Sequence, residues 1–310
     1  MCGDKTNNHA VSEYSREEVV CPICGLKDEQ FLFYAPERIV QCKQCGLIYC
    51  NPRLDARSLE KIYSKEYFMS EEHNQGIDYK AYANYIGEES VITRSMIKRM
   101  KKVELFAKGK GRLLDIGCAA GFSLIAAHAR GWDAEGIECS EFCVNYALSR
   151  RLKVHRGTLK DFPGKEDSID AITMWDYLEH SPNPLRDLRI CASLLKKGGV
   201  ILFSVPNVDS WSFSLMQKKW IGFKNIEHLY FFSRTTLNKM AQLAGLKMEH
   251  CFYHGKHVSL SFFLSRVQYY IPFTRIHTLV EKLAATDRAK NISFYFNPYD
   301  ILNVVLRKEG

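Results

Sequence analysis

The sequence predicts an α/β protein: a doubly wound, mostly parallel sheet with a small zinc knuckle in front of it. Three observations predict this. From Arg112 onward, short apolar strands alternate with segments of helical period. A glycine turn, Gly117-Cys-Ala-Ala-Gly121, joins the first of those strands to the first helix. Ahead of both stand two CxxC pairs, Cys21/Cys24 and Cys42/Cys45, each followed directly by glycine.

Residues 1–18 are polar and lack periodicity, and read as a loose tail. Residues 19–52 form the knuckle. Two thiolates three positions apart face one ion if the chain turns tightly between them. Gly25 and Gly46 permit the backbone conformation that points amides at sulfur. Strands are expected at Gln30–Tyr34, Arg38–Gln41 and Leu47–Cys50. Four thiolates leave no open coordination position, so the expected ion is a structural Zn2+ on Cys21, Cys24, Cys42 and Cys45, needed for so short a segment to fold. Disulfides and an iron–sulfur cluster are the alternatives. Eleven cysteines without an export signal favour a reducing, cytoplasmic setting, which argues against disulfides. Cys2 and Cys50 fall outside the paired spacing and read as incidental.

Residues 53–108 read mainly as helices, with Leu59, Ile62 and Tyr63, then Val91, Met96, Met100 and Val103, at helical spacing. The tyrosines of this segment (Tyr63, Tyr67, Tyr79, Tyr82, Tyr85) suit a lid over a ligand or ordinary packing. The core covers 109–256. Strands are expected at Leu113–Ile116, Trp132–Ile137, Lys153–His155, Ser168–Trp175 and Gly199–Val205. Helices are expected at Phe122–Ala129, Glu141–Arg150 and Pro184–Leu195. Gly245–Cys251 begins a sixth strand. A helical insertion over 257–292 follows, and 293–310 supplies a C-terminal strand, read at Tyr295–Leu306, that completes the sheet. The apolar, aromatic stretch 258–273 packs on the core, closes over a ligand, or makes peripheral contact with a membrane surface. No apolar run is long enough to span a bilayer.

The net formal charge of +8 is dispersed, with no run of about five or six like charges, and reads as an ordinary basic surface. The knuckle mixes Lys27, Arg38 and Lys43 with Asp28, Glu29 and Glu37, which disfavours nucleic acid as a partner.

A strand running into a glycine turn at a helix start lets a ligand approach the backbone, and Glu138 at the end of the next strand suits a ribose diol. The turn is GxxxG and not GxGxxG, and Asp115 stands just before it. A carboxylate there repels a pyrophosphate but favours a sulfonium cofactor bearing an α-amino group, which argues against a nicotinamide dinucleotide.

The run Leu113-Leu-Asp-Ile-Gly-Cys-Ala-Ala-Gly121 resembles the first motif of class I S-adenosylmethionine-dependent methyltransferases. Gly157–Asp161, Ala171–His180, Leu194–Gly199, Glu227–Ser233 and Leu237–Gly245 resemble later motifs of that family, in order. The likeness covers roughly 110–255. The knuckle resembles a bacterial-type subset, with the ubiquinone-pathway O-methyltransferases as distant relatives. The resemblance implies a seven-stranded Rossmann-like sheet that binds S-adenosyl-L-methionine. It places Gly117, Cys118 and Gly121 in the cofactor turn, Asp115 at the methionine end and Glu138 on the ribose hydroxyls. Leu159 and Asp161 would flank the adenine, and Trp175 is counted with them. Singly, each has a plainer reading: glycines end strands, Glu138 a solvated strand end, Asp161 a turn residue before Pro163. Ala119 stands where the family usually has glycine, tolerable if its backbone angles are ordinary.

Methyl transfer is an in-line displacement helped mainly by positioning. A general base, if used, is expected at His180 or His228, with Asp176 and Glu179 as further candidates. His180 equally suits a helix-capping role and His228 a packed surface histidine. His250, His254 and His257 read as strand and turn residues. The expected acceptor is a small-molecule or carrier-linked metabolite (sugar, quinone- or polyketide-like, or lipid-linked). An RNA methyltransferase using the knuckle for binding, or a non-catalytic cofactor-binding protein, are the rival readings.

Overall fold

The computed structural model describes residues 14–63, 65–69, 85–107, 109–223, 226–264, 279–280 and 282–309. Residues 1–13 of the expected tail, Cys2, Tyr79, Tyr82 and residues 265–273 of the apolar stretch lie outside the described residues. Among the described residues, no helix is long and apolar enough to cross a membrane.

The knuckle opens the chain. After β1 (Arg16–Glu17) come β2 (Glu29–Tyr34), β3 (Arg38–Cys42), β4 (Ile48–Cys50) and β5 (Arg53–Leu54). Among the described residues, three helices connect it to the core: α1 (Ala56–Ile62), α2 (Lys65–Met69) and α3 (Glu89–Ala107). The side chain of Asp55 caps α1 by accepting from the Ser58 amide. On α3, Met100 and Val103 bury against Leu124 and Ala127, which is the helical spacing seen in the sequence.

The core follows as β6 (Arg112–Ile116), α4 (Phe122–Ala129), β7 (Asp133–Glu138), α5 (Glu141–Ser149), β8 (Val154–Arg156), β9 (Ile169–Trp175), α6 (Pro184–Leu194), β10 (Leu195–Pro206), α7 (Trp211–Met216), β11 (Tyr230–Phe231), α8 (Arg234–Leu243) and β12 (Leu246–Tyr253). A hairpin of β13 (Lys256–Ser259) and β14 (Ser293–Phe296) precedes the final strand, β15 (Ile301–Lys308). Seven strands form one Rossmann-like sheet in the order β12-β15-β10-β9-β6-β7-β8, parallel from β10 to β8, with β15 antiparallel between β10 and β12. Central strands are covered on both faces and read as continuous apolar runs: Val200, Ile201, Leu202, Phe203 and Val205 of β10 are all buried.

The winding sets where a ligand goes. From β6 the chain moves outward through β7 and β8, then returns to β9 and β10 on the other side. That reversal opens a crevice at the carboxyl end of β6.

The structure departs from expectation at two places. Tyr295 belongs to the β13–β14 hairpin and not to the last sheet strand, which begins at Ile301. The insertion at 257 therefore opens as a strand, its polar-apolar alternation pairing across to residues 293–296. The knuckle strands also do not stand alone. Their sheet has the order β11-β4-β3-β2, so a strand from the far half of the chain completes it.

Candidate functional site

The crevice holds a cavity of about 490 Å3, within the range of small-molecule sites. Its floor is the carboxyl edge of β6, β7 and β9. Its walls come from α1, α2, α3 and Lys256, with Tyr63, Tyr67, Phe68 and Tyr85 among them. Tyr63, Tyr67 and Tyr85 of the connecting segment thus face the cavity directly.

The glycine turn lies on one side. The Gly117 and Cys118 amides both donate to the Ile137 carbonyl, at 2.9 and 3.1 Å, tying the turn to β7. Gly117 has φ +70°, and a Cβ there would sit 2.8 Å from Tyr177 Cδ2, so no side chain fits. Gly121 caps α4. Ala119 takes φ +45°. The condition for tolerating a methyl group there, ordinary backbone angles, is not met, and the left-handed conformation of an alanine costs about 1–2 kcal/mol.

Glu138 is 7% exposed. Its Oε2 accepts from the Ala119 amide at 2.9 Å and its Oε1 from the Ser140 amide at 2.8 Å. Burial raises its pKa, and those amides oppose the rise. Cys139 Sγ also donates to Oε1 at 3.4 Å, so the carboxylate is held in place at the cavity wall. Asp115 is 1% exposed and accepts from Ser123 Oγ and, at 2.5 Å, from Thr173 Oγ1. Burial pushes its carboxyl up to about 6 against the pull of those two bonds. Leu159, Trp175 and Cys118 also line the cavity.

Asp161 is not among the lining residues. Its carboxylate closes a capping box, accepting from the hydroxyl of Thr158 at 2.6 Å and from the Thr158 amide. Thr158 and Leu159 face the cavity instead. A local turn explains this: an acid three residues after threonine satisfies the start of a helical turn before anything farther off.

Sequence reasoning missed Arg99. It is 4% exposed, lines the cavity, and lays its guanidinium 4.7 Å from the Trp175 ring centroid. Its Nη1 approaches Ser204 Oγ at 3.4 Å, and its Nε has no hydrogen-bond partner. The only signal was a basic residue on the buried stripe of α3.

The opposite end gathers titratable groups: Asp176 and His180 line the cavity, while Glu179, Glu227 and His228 are buried behind them. Asp176 takes φ +53° just after β9 and accepts from Ser204 Oγ at 2.7 Å. Such strain in a non-glycine residue is typical of functional sites. His180 lines the cavity and its Nδ1 meets the Tyr63 hydroxyl at 3.0 Å. His228 is buried and not superficial; its ring centroid is 4.6 Å from that of His180. The Gly222 carbonyl accepts from His228 Nδ1 at 2.9 Å, which leaves the lone pair on Nε2. Burial pushes His228 down to about 4 and His180 well below its ordinary value, so both are neutral at pH 7. Glu227 accepts from the Tyr67 hydroxyl at 3.0 Å, and burial pushes it up to about 7. Burial and the nearby Asp176 raise Glu179, whose Oε2 has no partner. Ligand atoms of Glu179, His180 and His228 lie within 4.8 Å of one another.

The other such group is Cys21, Cys24, Cys42 and Cys45. Sγ of Cys21 and Cys45 are 3.5 Å apart, and those of Cys42 and Cys24 3.9 Å. A tetrahedron with Zn–S bonds of about 2.3 Å has edges of about 3.8 Å, so the cluster fits zinc. Amides of Ile23 and Cys24 point at Cys21 sulfur, and those of Gln44 and Cys45 at Cys42 sulfur. Gly25 and Gly46, at φ +68° and +81°, close both turns as expected. All ten described cysteines are free thiols.

Residues 91–251, half of the chain, match the methyltransferase domain family. The chain belongs to this family. The match starts in α3 and ends in β12, so the sheet through its sixth strand and all of the crevice floor lie within it, and the knuckle lies outside it. The ubiquinone biosynthesis O-methyltransferase of Idiomarina loihiensis is 30% identical over 158 residues, covering 46% of this chain and 63% of that protein. The enzyme of the same name from Chromobacterium violaceum is 26% identical over 202 residues, 57% of this chain and 78% of that one. The chain thus spans less than two thirds of the Idiomarina relative's length. Among solved structures, a chain from the complex between the Haloferax volcanii Trm112 methyltransferase activator and a methyltransferase superposes with TM-score 0.52 at 15% identity, covering 72% of this chain and 94% of that chain. That likeness concerns the fold alone.

Proposed function

We propose that this methyltransferase-family chain moves a methyl group from S-adenosylmethionine to a hydroxyl or carbon of a small or carrier-linked metabolite, with a structural zinc in the knuckle. The observation that carries the reading is Glu138: a buried carboxylate fixed by two backbone amides beside the Gly117–Gly121 turn, facing the same cavity as Asp176 and His180.

In this reading Glu138 accepts from both ribose hydroxyls. Arg99 pairs with the α-carboxylate through its unpartnered Nε edge, and Asp115 attracts the α-amino group. Thr158 and Leu159 bound the adenine, while Trp175 and Cys118 close the sides. The donor supplies a methyl group already activated on a sulfonium, so orientation and exclusion of water do most of the work. His228 Nε2, with Nδ1 held by the Gly222 carbonyl, takes the acceptor proton, and His180 is oriented by Tyr63. Glu227, protonated below about pH 7, donates to or receives from the same cluster. The names of the relatives support an O-methylated, quinone-like acceptor, and the thiol-rich chain suits a reducing cytoplasm.

The knuckle's mixed charge and its pairing with β11, a strand from the far half of the chain, speak against a nucleic-acid module. Calorimetric titration with S-adenosylhomocysteine tests the cofactor half; absence of uptake by zinc-loaded protein refutes it. Incubation with labelled S-adenosylmethionine and a metabolite extract tests the transfer, read as label gained by an acceptor.

A further inference from the structure

We infer that the knuckle is the outer support of the acceptor half of the site: its metal-held strand β4 sets the backbone of residues 228–230 and so positions His228. The inference rests on the functional reading above, in which His228, packed against the cavity-lining His180, serves the acceptor end.

The path from metal to histidine is short and continuous. Cys42 ends β3, and its amide donates to the Leu47 carbonyl at 2.9 Å, so β4 leaves directly from the second cysteine turn. Strand β4 pairs with β11, Tyr49 opposite Tyr230 and Ile48 opposite Phe231. β11 is two residues long, and β4 is its only strand partner among the described residues. At the next position the Cys50 amide donates to the Leu229 carbonyl at 2.9 Å, and the Cys50 thiol donates to the His228 carbonyl at 3.3 Å. Cys50 is 2% exposed and burial raises its pKa, so it stays a thiol and keeps that proton. From the other side the Leu229 amide donates to the Glu179 carbonyl at 2.8 Å. The segment after His228 is thus stitched at once to the knuckle and to the loop bearing Glu179 and His180.

Packing follows the same route. Ile39, Ile48 and Cys50 share one buried cluster with Trp220, Phe223 and Phe231. The rings of Phe33 and Phe223 meet edge to face at 5.1 Å. Gly222, whose carbonyl fixes the His228 tautomer, is the neighbour of that anchored phenylalanine. The glycine turn is joined to β6, β7 and α4, and no strand pairing links it to the knuckle; Leu47 and Tyr49 share only side-chain packing with Leu114 and Ile137 in the main buried cluster. A two-residue edge strand is marginal by itself, and loss of zinc loosens the cysteine turn from which β4 leaves, with only its pairing to β3 left to hold it.

The test compares full-length zinc-loaded protein with the same protein after chelation, by hydrogen exchange. We expect amides of Leu229, Tyr230 and Cys50 to lose protection by about tenfold or more, while β6 and β7 keep theirs and S-adenosylhomocysteine is still taken up. In zinc-loaded protein, Cys50→Ala should shift the His228 ring nitrogen resonances, and Cys50→Ser, which keeps a donor, should restore them at unchanged zinc content. Unchanged protection at 229–230 overturns the inference. Equal loss across β6 and β7 also overturns it, since the metal would then support the whole chain and not one half. A zinc-loaded protein that never takes up S-adenosylhomocysteine counts against the functional reading, while the exchange pattern still judges the support.

Discussion

Asp115 carries a cost that can be measured. Burial raises its carboxyl from 3.8 to about 6, despite the hydrogen bonds from Ser123 and Thr173. The folded state therefore holds that proton more tightly than the unfolded chain does. Stability from this group falls as pH rises from 3.8 to about 6, and the loss is complete above that, roughly 3 kcal/mol in all. Asparagine removes the charge at nearly constant volume. The Ser123 and Thr173 hydroxyls can rotate, one donating to the new amide oxygen and the other accepting from its nitrogen. Because those bonds are weaker than bonds to a carboxylate, the net gain for Asp115→Asn should be about 1–3 kcal/mol at neutral pH. The gain should shrink toward nothing near pH 4, while uptake of S-adenosylhomocysteine falls by about tenfold or more as the attraction for the α-amino group is lost. Urea unfolding of ligand-free protein at several pH values, paired with calorimetry, reads both effects. A gain equal at pH 4 and pH 7.5, or a loss of stability at pH 7.5, would refute the reasoning.

Other substitutions probe the remaining parts. Glu138→Ala should weaken S-adenosylhomocysteine binding by about 10- to 100-fold, since two charge-assisted bonds are lost, as titration calorimetry will show. His228→Gln should lower transfer by about 10²- to 10⁴-fold while leaving S-adenosylhomocysteine affinity nearly unchanged; a parallel fall in both would move His228 out of the acceptor end. Elemental analysis should find one zinc per chain, lost on Cys45→Ser together with a lower melting temperature. Glu135 offers the opposite pH sign to Asp115. Burial would raise it, but Lys153, His155 and Arg112 outweigh burial and hold it at about 2. Its contribution is full above pH 4.5 and lost as pH falls toward 2, so Glu135→Gln should destabilise by about 2 kcal/mol at pH 7, discounted because Lys153 and Arg112 are partly in solvent, and by nothing near pH 2 in acid-unfolding curves.

Local pattern alone was enough for much of the chain. Phe122–Ala129 was legible as a helix because a glycine turn starts it and its apolar residues repeat at helical spacing. The strands β6, β7, β8 and β9 begin and end within a residue of where their apolar runs place them. The clustering of the four cysteines and the place of Glu138 at the end of β7 were legible for the same reason: each depends on a turn of a few residues or on the end of one strand. The capping box that takes the Asp161 carboxylate away from the cavity wall was equally local, and went unread in the sequence.

The sequence by itself determined the alternation of elements, the four-cysteine cluster and the glycine turn, since spacing within a few residues dictates each. The tertiary structure alone decided which distant side chains meet. Tyr63 reaches His180 across 117 positions, and the Cys50 thiol reaches the His228 carbonyl across 178. Arg99 turns onto Trp175, and β15 slips between β10 and β12. Such contacts follow from strand order and layer packing, which leave no periodic trace along the chain, so cysteine 50 looks incidental until the sheet that contains it is built.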